Sequence, residues 1–153
     1  MNTGTHIHTM DRKALLSTIW IFAVLNYLYC DLLSLMDANL LNQYLAGNVG
    51  GLQFTQEFLL GAAILMEISM AMVLLSRVLN YRVNRWANII AGAINTAVQV
   101  GSLTLGTSTM YYWFFSIIEI AATASIVWLA WTWRNPAAAP ERNALGYTVG
   151  SNS

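Results

Sequence analysis

Three carboxylates lie within long apolar stretches of this chain, and they are the side chains most able to do chemistry. Glu67 lies near the middle of QEFLLGAAILMEISMAMVLLS, Glu119 lies in an apolar run that starts near Met110, and Asp31 lies near the end of the first run. A charge at the centre of a bilayer costs about 2.5–3.5 kcal/mol on insertion scales, so an acid there is a functional candidate. The four apolar runs contain no Lys, Arg or His. Each acid must therefore be protonated, hydrated or bound to a cation.

Polar residues recur at helical spacing around these acids. In the third run they follow one helix face at intervals of three or four residues, and the first and fourth runs repeat the pattern. Such faces should turn toward one another in a membrane. At about 1.5 Å per residue, the polar residues fill the outer half of the bundle. We expect them to form one acidic pocket, open to the outside, from Glu67, Glu119, Asp31, Asn26, Tyr27, Asn95, Gln99 and Ser116.

The composition is that of a membrane protein. The chain has 153 residues, of which 57% are hydrophobic and 9% are charged, and its mean hydropathy is +0.52. Soluble domains carry about 25% charged residues. The net charge is zero and the basic residues are scattered, so no nucleic-acid partner is expected. Membrane lipids are the expected surroundings, and a second copy or another membrane subunit is an expected partner.

Four segments are long enough to cross a bilayer. The sequence predicts an antiparallel all-α bundle over residues 14–134, with transmembrane helices at about 14–36, 56–76, 86–106 and 110–133. Residues 1–13 and 135–153 are predicted to be flexible tails. The link 37–55 is broken by glycines and is expected to hold a short amphipathic turn. All seven basic residues fall in the two tails or in the link between the second and third segments, which predicts that both termini are cytoplasmic.

Redox and metal chemistry find no support in the sequence. Cys30 is the single cysteine, so the chain has no internal disulfide and no thiolate metal site. His6 and His8 lie in the polar N-terminal tail, which excludes a bis-histidine haem within the membrane part of one chain. The sequence therefore predicts no metal, no cofactor and no catalytic residue.

Four short stretches resemble a known group of proteins: LNYLYCDLLSLM, ILMEISMAMVLLSRVL, YRVNRWANIIAG and FFSIIEI. They are similar to the landmarks of an uncharacterised family of small bacterial four-helix membrane proteins, broadly DoxX-like in layout. The likeness spans about Lys13 to Arg134. It implies a multi-pass protein of the bacterial inner membrane and supplies no activity. Asp31, Glu67 and Glu119 match positions in these motifs.

Three functions remain open at this stage. The first is a binding or transport component whose acidic pocket takes a cation, a proton or a small cationic molecule. The second is a structural or accessory subunit whose polar faces only hold the bundle or oligomer together, since such residues commonly link membrane helices. The third is a membrane enzyme acting on a lipid or quinone with Glu67 and Glu119 as acid and base.

Overall fold

The computed structural model describes residues 11–104 and 109–133, and this part of the chain is helical, as predicted. A two-stranded hairpin interrupts five helices. The elements in chain order are α1 (Arg12–Met36), α2 (Ala38–Leu45), β1 (Asn48–Val49), β2 (Leu52–Gln53), α3 (Gln56–Val78), α4 (Tyr81–Ser102) and α5 (Met110–Trp131).

The four long helices form a ring in the order α1, α3, α4, α5, with α5 packed against α1. Neighbouring helices are antiparallel. Near the start of α1, the hydroxyl of Ser17 donates to the carbonyl of Val73 near the end of α3, over 2.7 Å. Arg12 donates to the carbonyl of Leu129 near the end of α5. The end of the bundle that carries Arg12, Arg77 and Arg85 is called the basic end, and the opposite end is called the hairpin end.

Three of the described helices, α1, α3 and α5, are long and apolar enough to cross a membrane. Length and composition therefore support three of the four membrane-spanning helices that the sequence predicted. The fourth candidate, α4, has 22 residues but carries Arg82, Arg85 and a buried face of asparagines, which lower its hydropathy. Its boundaries also differ from the predicted 86–106, because both arginines lie in its first two turns and not in a link.

The first helix begins at Arg12, two residues earlier than the predicted start at residue 14. Asp11 is its N-cap and its side chain accepts a hydrogen bond from the backbone N–H of Lys13, so residues 12 and 13 are helical. The rest of that tail, with His6 and His8, lies outside the described residues. The predicted C-terminal tail, 135–153, also lies outside them.

A small lid, formed by α2 and the β1–β2 hairpin, covers the hairpin end. Asp37 caps α2 by accepting from the backbone N–H groups of Asn39 and Leu40. Gly50 and Gly51 turn the hairpin with φ of 58° and 89°, a left-handed conformation that favours glycine. Edge-to-face stacking of Tyr44 on Phe54, and of Phe54 on Phe58, ties the lid to α3. The sequence predicted only a short turn here, since hairpins this short have almost no periodic signal.

The apolar core lies toward the basic end. Its buried members are Leu16, Trp20, Met72, Ala91, Ile126 and Trp133. In α3, every buried residue lies in the second half, at Ser69, Met72 and Ser76. The first half of α3, from Gln56 to Ile68, has no buried residue. The bundle is thus tightly packed at its basic end and looser toward the hairpin end.

Candidate functional site

Glu119 is the acid that the fold buries. Its side chain is 1% exposed and lies on the face of α5 that turns into the bundle. The Oε1 atom is fully enclosed and receives no hydrogen bond from the described residues. Burying an ionised carboxylate without a partner is very costly, so a proton, water or ligand must meet this group.

Residues of α1 complete the surroundings of Glu119. Tyr27 lies one turn before Cys30 and Asp31 on α1, and all three are near enough to interact electrostatically with the Glu119 carboxylate. The hydroxyl of Tyr27 is also enclosed and has no hydrogen-bond partner among the described residues, and Cys30 is buried. Asp31 remains exposed at the surface of α1. These four residues are called the acidic site.

Three of the other predicted site residues form hydrogen bonds between helices, and a fourth, Asn26, bonds within its own helix. Gln99 of α4 donates to the hydroxyl of Ser116 of α5 over 2.8 Å. Asn95 accepts from the hydroxyl of Ser69 over 3.0 Å and donates to the carbonyl of Ala91. The side chain of Asn26 donates to the carbonyl of Phe22 within α1. These groups link or stiffen helices near the acidic site, and their hydrogen bonds do not involve Glu119.

Glu67 lies outside this site, which corrects the expectation of a pocket shared with Glu119. Its side chain is exposed, and α3 and α5 occupy opposite corners of the ring. The reason lies in the character of α3, which is apolar on every side, so that its sequence pattern does not define an inward face. Packing buries the side that carries Ser69 and Ser76 and turns Glu67 away from the bundle.

A cavity of about 350 Å³ lies at the hairpin end between the lid and the helices. Its lining is mainly apolar and aromatic, with Tyr44 and Phe58 among the contributors, and contains no charged side chain. Hydroxyl groups of Ser34, Ser102 and Tyr112 also line it, and Tyr112 donates to Ser102 over 2.6 Å. Cavities of this size and lining hold small organic molecules in many proteins.

The cavity lies directly above the acidic site. Tyr112 precedes Glu119 by seven residues, which places it two turns nearer the hairpin end on the same face of α5, at about 10 Å. Ser34 follows Asp31 by three residues on α1. Tyr44 of the lid lies close enough to Asp31 for the charge of Asp31 to act on its hydroxyl. Burial raises the pKa of the Tyr44 hydroxyl, and the Asp31 charge raises it further. A molecule in the cavity would therefore be separated from Glu119 by about two helical turns.

The sequence analysis missed a second polar cluster, near the basic end, and the contribution of the lid. The indole N–H of Trp20 donates to Oδ1 of Asn88 over 2.8 Å, and Asn88 donates to Oδ1 of Asn84 over 2.6 Å. Asn84 in turn donates to the carbonyl of Ser76, whose hydroxyl donates to Asn88. These four residues are called the asparagine network. Extending the polar spacing of α4 by one turn, from Asn88 back to Asn84, is the signal that could have found it.

Within residues 11–104 and 109–133, no three His, Cys, Asp or Glu side chains come together as a metal site. Neither a search of curated proteins nor a search of solved structures finds a match. The expected likeness to an uncharacterised family is confirmed over most of the chain. Residues 6–139 match a family of unknown function, DUF6326, and the chain belongs to that family.

Proposed function

We propose that this protein binds a small organic cation at the acidic site, with Glu119 and Asp31 as the negatively charged groups. The observation that carries the proposal is the enclosed Oε1 of Glu119, which lacks a hydrogen-bond partner among the described residues. A cationic ligand would supply that partner and would neutralise the charge. The nearby Asp31 adds a second negative charge, and the Tyr27 hydroxyl offers a further polar contact.

The cavity at the hairpin end favours an organic cation over a bare metal ion. Its lining is largely apolar, and the aromatic rings of Tyr44, Phe58 and Tyr112 can pack against the apolar part of such a ligand. A hydrated ion would gain little from such walls. In this proposal the ligand enters through the cavity and its charged nitrogen reaches the acids below. Protons compete for the same carboxylates, so occupancy and protonation are coupled.

The proposal places the bundle in a bacterial inner membrane with four spans, including α4. At about 1.5 Å per residue, its 22 residues reach about 33 Å, enough to cross the hydrocarbon core. Its asparagines face the other helices, and beyond Arg82 in the first turn the residues it exposes are apolar. The largest of these are Val83, Trp86, Ile90, Ile94, Val98 and Val100. Orientation by the positive-inside rule would put the basic end and both termini in the cytoplasm.

Binding of hexylammonium to purified protein in detergent micelles, measured by calorimetry, tests the proposal, since this ion carries N–H donors for Glu119 and an apolar chain for the cavity. We expect saturable binding that weakens as the pH falls, because protonation removes the negative charges that attract the cation. Replacing Glu119 with Gln should lower the affinity about tenfold or more, since it removes a charge-assisted contact. The matched control is Glu57→Gln, which removes an exposed acid in the first turn of α3 and should leave the affinity unchanged. Equal affinity of Glu119→Gln and wild-type protein would refute the cation site.

A structural or accessory role is the second candidate, and the satisfied hydrogen bonds of Asn95, Gln99 and Ser116 favour it. It predicts that Glu119→Gln alters neither ligand binding nor ion flux into proteoliposomes, and that another membrane protein copurifies with the chain. The calorimetric titration and the copurification therefore give opposite results for the two candidates.

A further inference from the structure

A continuous seam of exposed residues, apolar except for Glu67, runs along the outer face of α3. It consists of Leu60, Ala63, Glu67, Met70 and Leu74, and all five side chains are exposed. Their spacing of three, four, three and four residues is the heptad spacing by which two helices pack in a left-handed pair. The same spacing is common in helix pairs within membranes.

The opposite face of α3 is the one that joins the bundle. Ser69, Met72 and Ser76 are buried there, and Ser69 and Ser76 hydrogen-bond to asparagines of α4. The orientation of α3 is therefore fixed by packing and by hydrogen bonds. Rotating the helix to bury the seam would break these contacts. The seam thus belongs to the outer surface of the folded chain.

Glu67 lies at the centre of the seam and at the middle of the helix. The other charged residues of α3 are Glu57 in the first turn and Arg77 in the last, and Arg77 already donates to the hydroxyl of Ser17. At the depth of Glu67, α3 therefore offers no basic partner. A carboxyl group facing acyl chains is strongly disfavoured, and a protonated carboxyl still has one donor and one acceptor to satisfy.

We infer that this protein forms a two-fold symmetric dimer through the α3 seam, with Glu67 paired to its own counterpart. Copies inserted in one orientation place their α3 helices parallel, and a two-fold axis then sets each seam residue against the same residue of the other copy. A second copy thus necessarily presents a carboxyl group at the depth of Glu67. Two protonated carboxyl groups can each donate to and accept from the other, which satisfies both. The dimer goes beyond the cation site, since it uses a different acid on a different face.

Cysteine crosslinking in proteoliposomes made with purified protein tests the dimer. All variants carry Cys30→Ser, so that the introduced thiol is the single one. Ala63→Cys and Met70→Cys lie on the seam one turn to either side of Glu67. The matched control is Ile117→Cys, which is 62% exposed on α5, away from the seam. Copper phenanthroline should convert both seam variants largely to covalent dimer at low protein density and leave the control monomeric.

Replacing Glu67 in the Ala63→Cys variant tests the pairing group. Glu67→Leu should reduce the crosslinked fraction, corresponding to about a three- to twentyfold weaker association, because an interhelical hydrogen bond is lost. Glu67→Gln keeps a donor and an acceptor and should retain the dimer. Since Glu67 is exposed on the single chain, both variants should keep the wild-type helical content by circular dichroism, which checks that the fold is intact. Crosslinking of Ala63→Cys no stronger than that of Ile117→Cys would overturn the dimer, and undiminished crosslinking in Glu67→Leu would overturn the carboxyl pairing.

Discussion

The asparagine network near the basic end and the acidic site nearer the hairpin end differ in whether their buried polar groups are hydrogen-bonded. Near the basic end, the side-chain amides of Asn84 and Asn88 and the indole of Trp20 are joined in one closed set of hydrogen bonds. Nearer the hairpin end, Glu119 Oε1 and the Tyr27 hydroxyl are enclosed without hydrogen-bond partners in the described chain. Both regions lie among the same four helices.

The difference separates structural polarity from functional polarity. A fully satisfied buried network stabilises one arrangement of the helices, whereas an unsatisfied buried group costs free energy unless a ligand meets it. Unmet hydrogen-bonding capacity therefore distinguishes the two regions better than residue type does. Removing a polar group should accordingly lower stability in the asparagine network and raise it at Glu119 in the acidic site.

The largest expected effect is at the hub of the asparagine network. Asn88→Ala leaves Trp20 and Ser76 as buried donors without their acceptor, so the free energy of unfolding should fall by about 3 kcal/mol. Unfolding by sodium dodecyl sulfate, followed by circular dichroism, measures this change. The control is Ser125→Ala, since Ser125 is exposed and bonds only to the carbonyl of Ala121 in its own helix. Equal stability of the two variants would contradict a structural role for the network.

A second comparison uses two glycines to test the difference in packing. A Cβ at Gly92 would lie 2.8 Å from Cγ2 of Val127 and 3.3 Å from the carbonyl oxygen of Thr123, so Gly92→Ala should separate α4 from α5. We expect a loss of about 1–3 kcal/mol in the same unfolding assay. Gly61, in the loosely packed half of α3, has no atom within 4 Å of such a Cβ. Gly61→Ala should stabilise the helix by about 0.5–1 kcal/mol, and a loss there would mean that α3 is tightly packed along its whole length.

At the acidic site, removing a buried polar group should raise the free energy of unfolding instead of lowering it. Glu119→Leu removes a buried carboxyl group whose Oε1 lacks a partner and replaces it with an apolar side chain of similar size. The ligand-free protein should therefore gain about 1–3 kcal/mol of unfolding free energy, while hexylammonium binding is lost. Parallel unfolding and calorimetric measurements check both parts. Destabilisation by Glu119→Leu would instead identify Glu119 as a structural residue.

The smallest effect is expected at Tyr27. Its hydroxyl has no partner to lose, so Tyr27→Phe should change the unfolding free energy by less than about 0.5 kcal/mol. Loss of one hydrogen bond to the ligand should weaken hexylammonium binding about two- to tenfold. Tyr112→Phe is the comparison, because it breaks the 2.6 Å bond to Ser102 and should cost about 1 kcal/mol of stability. Similar stability losses in the two variants would show that the Tyr27 hydroxyl is satisfied after all.

The sequence predicted the orientation of α4 because that helix has strong contrast between its faces. Asn88, Gly92, Asn95 and Gln99 recur at intervals of three or four residues, and all four are buried. The polar stripe of α5 behaves in the same way, and its Ser116 and Glu119 are buried. Polar side chains in a lipid-facing position are costly, so a regular stripe of them indicates the inward face of the helix.

No comparable contrast exists in α3, where Glu67 is a single polar group at the centre of an apolar helix. Its two buried serines are small, and their spacing of seven residues was too weak a signal to define a face. The lid was equally hard to foresee, because strands of two residues and a helix of eight give little periodicity. The cavity forms where the lid meets the four long helices. The amino-acid sequence alone does not specify that contact.

The sequence by itself determined that the chain is helical, that its long segments suit a membrane, and that its acids lack basic neighbours within those segments. These properties follow from composition and local spacing. The tertiary structure decided which acid is buried and which faces outward, because that outcome depends on which side of an almost uniformly apolar helix makes the better contacts. Glu119 belongs to a polar stripe that indicates the inward face of α5, whereas the outward position of Glu67 was decided by the packing of the neighbouring helices.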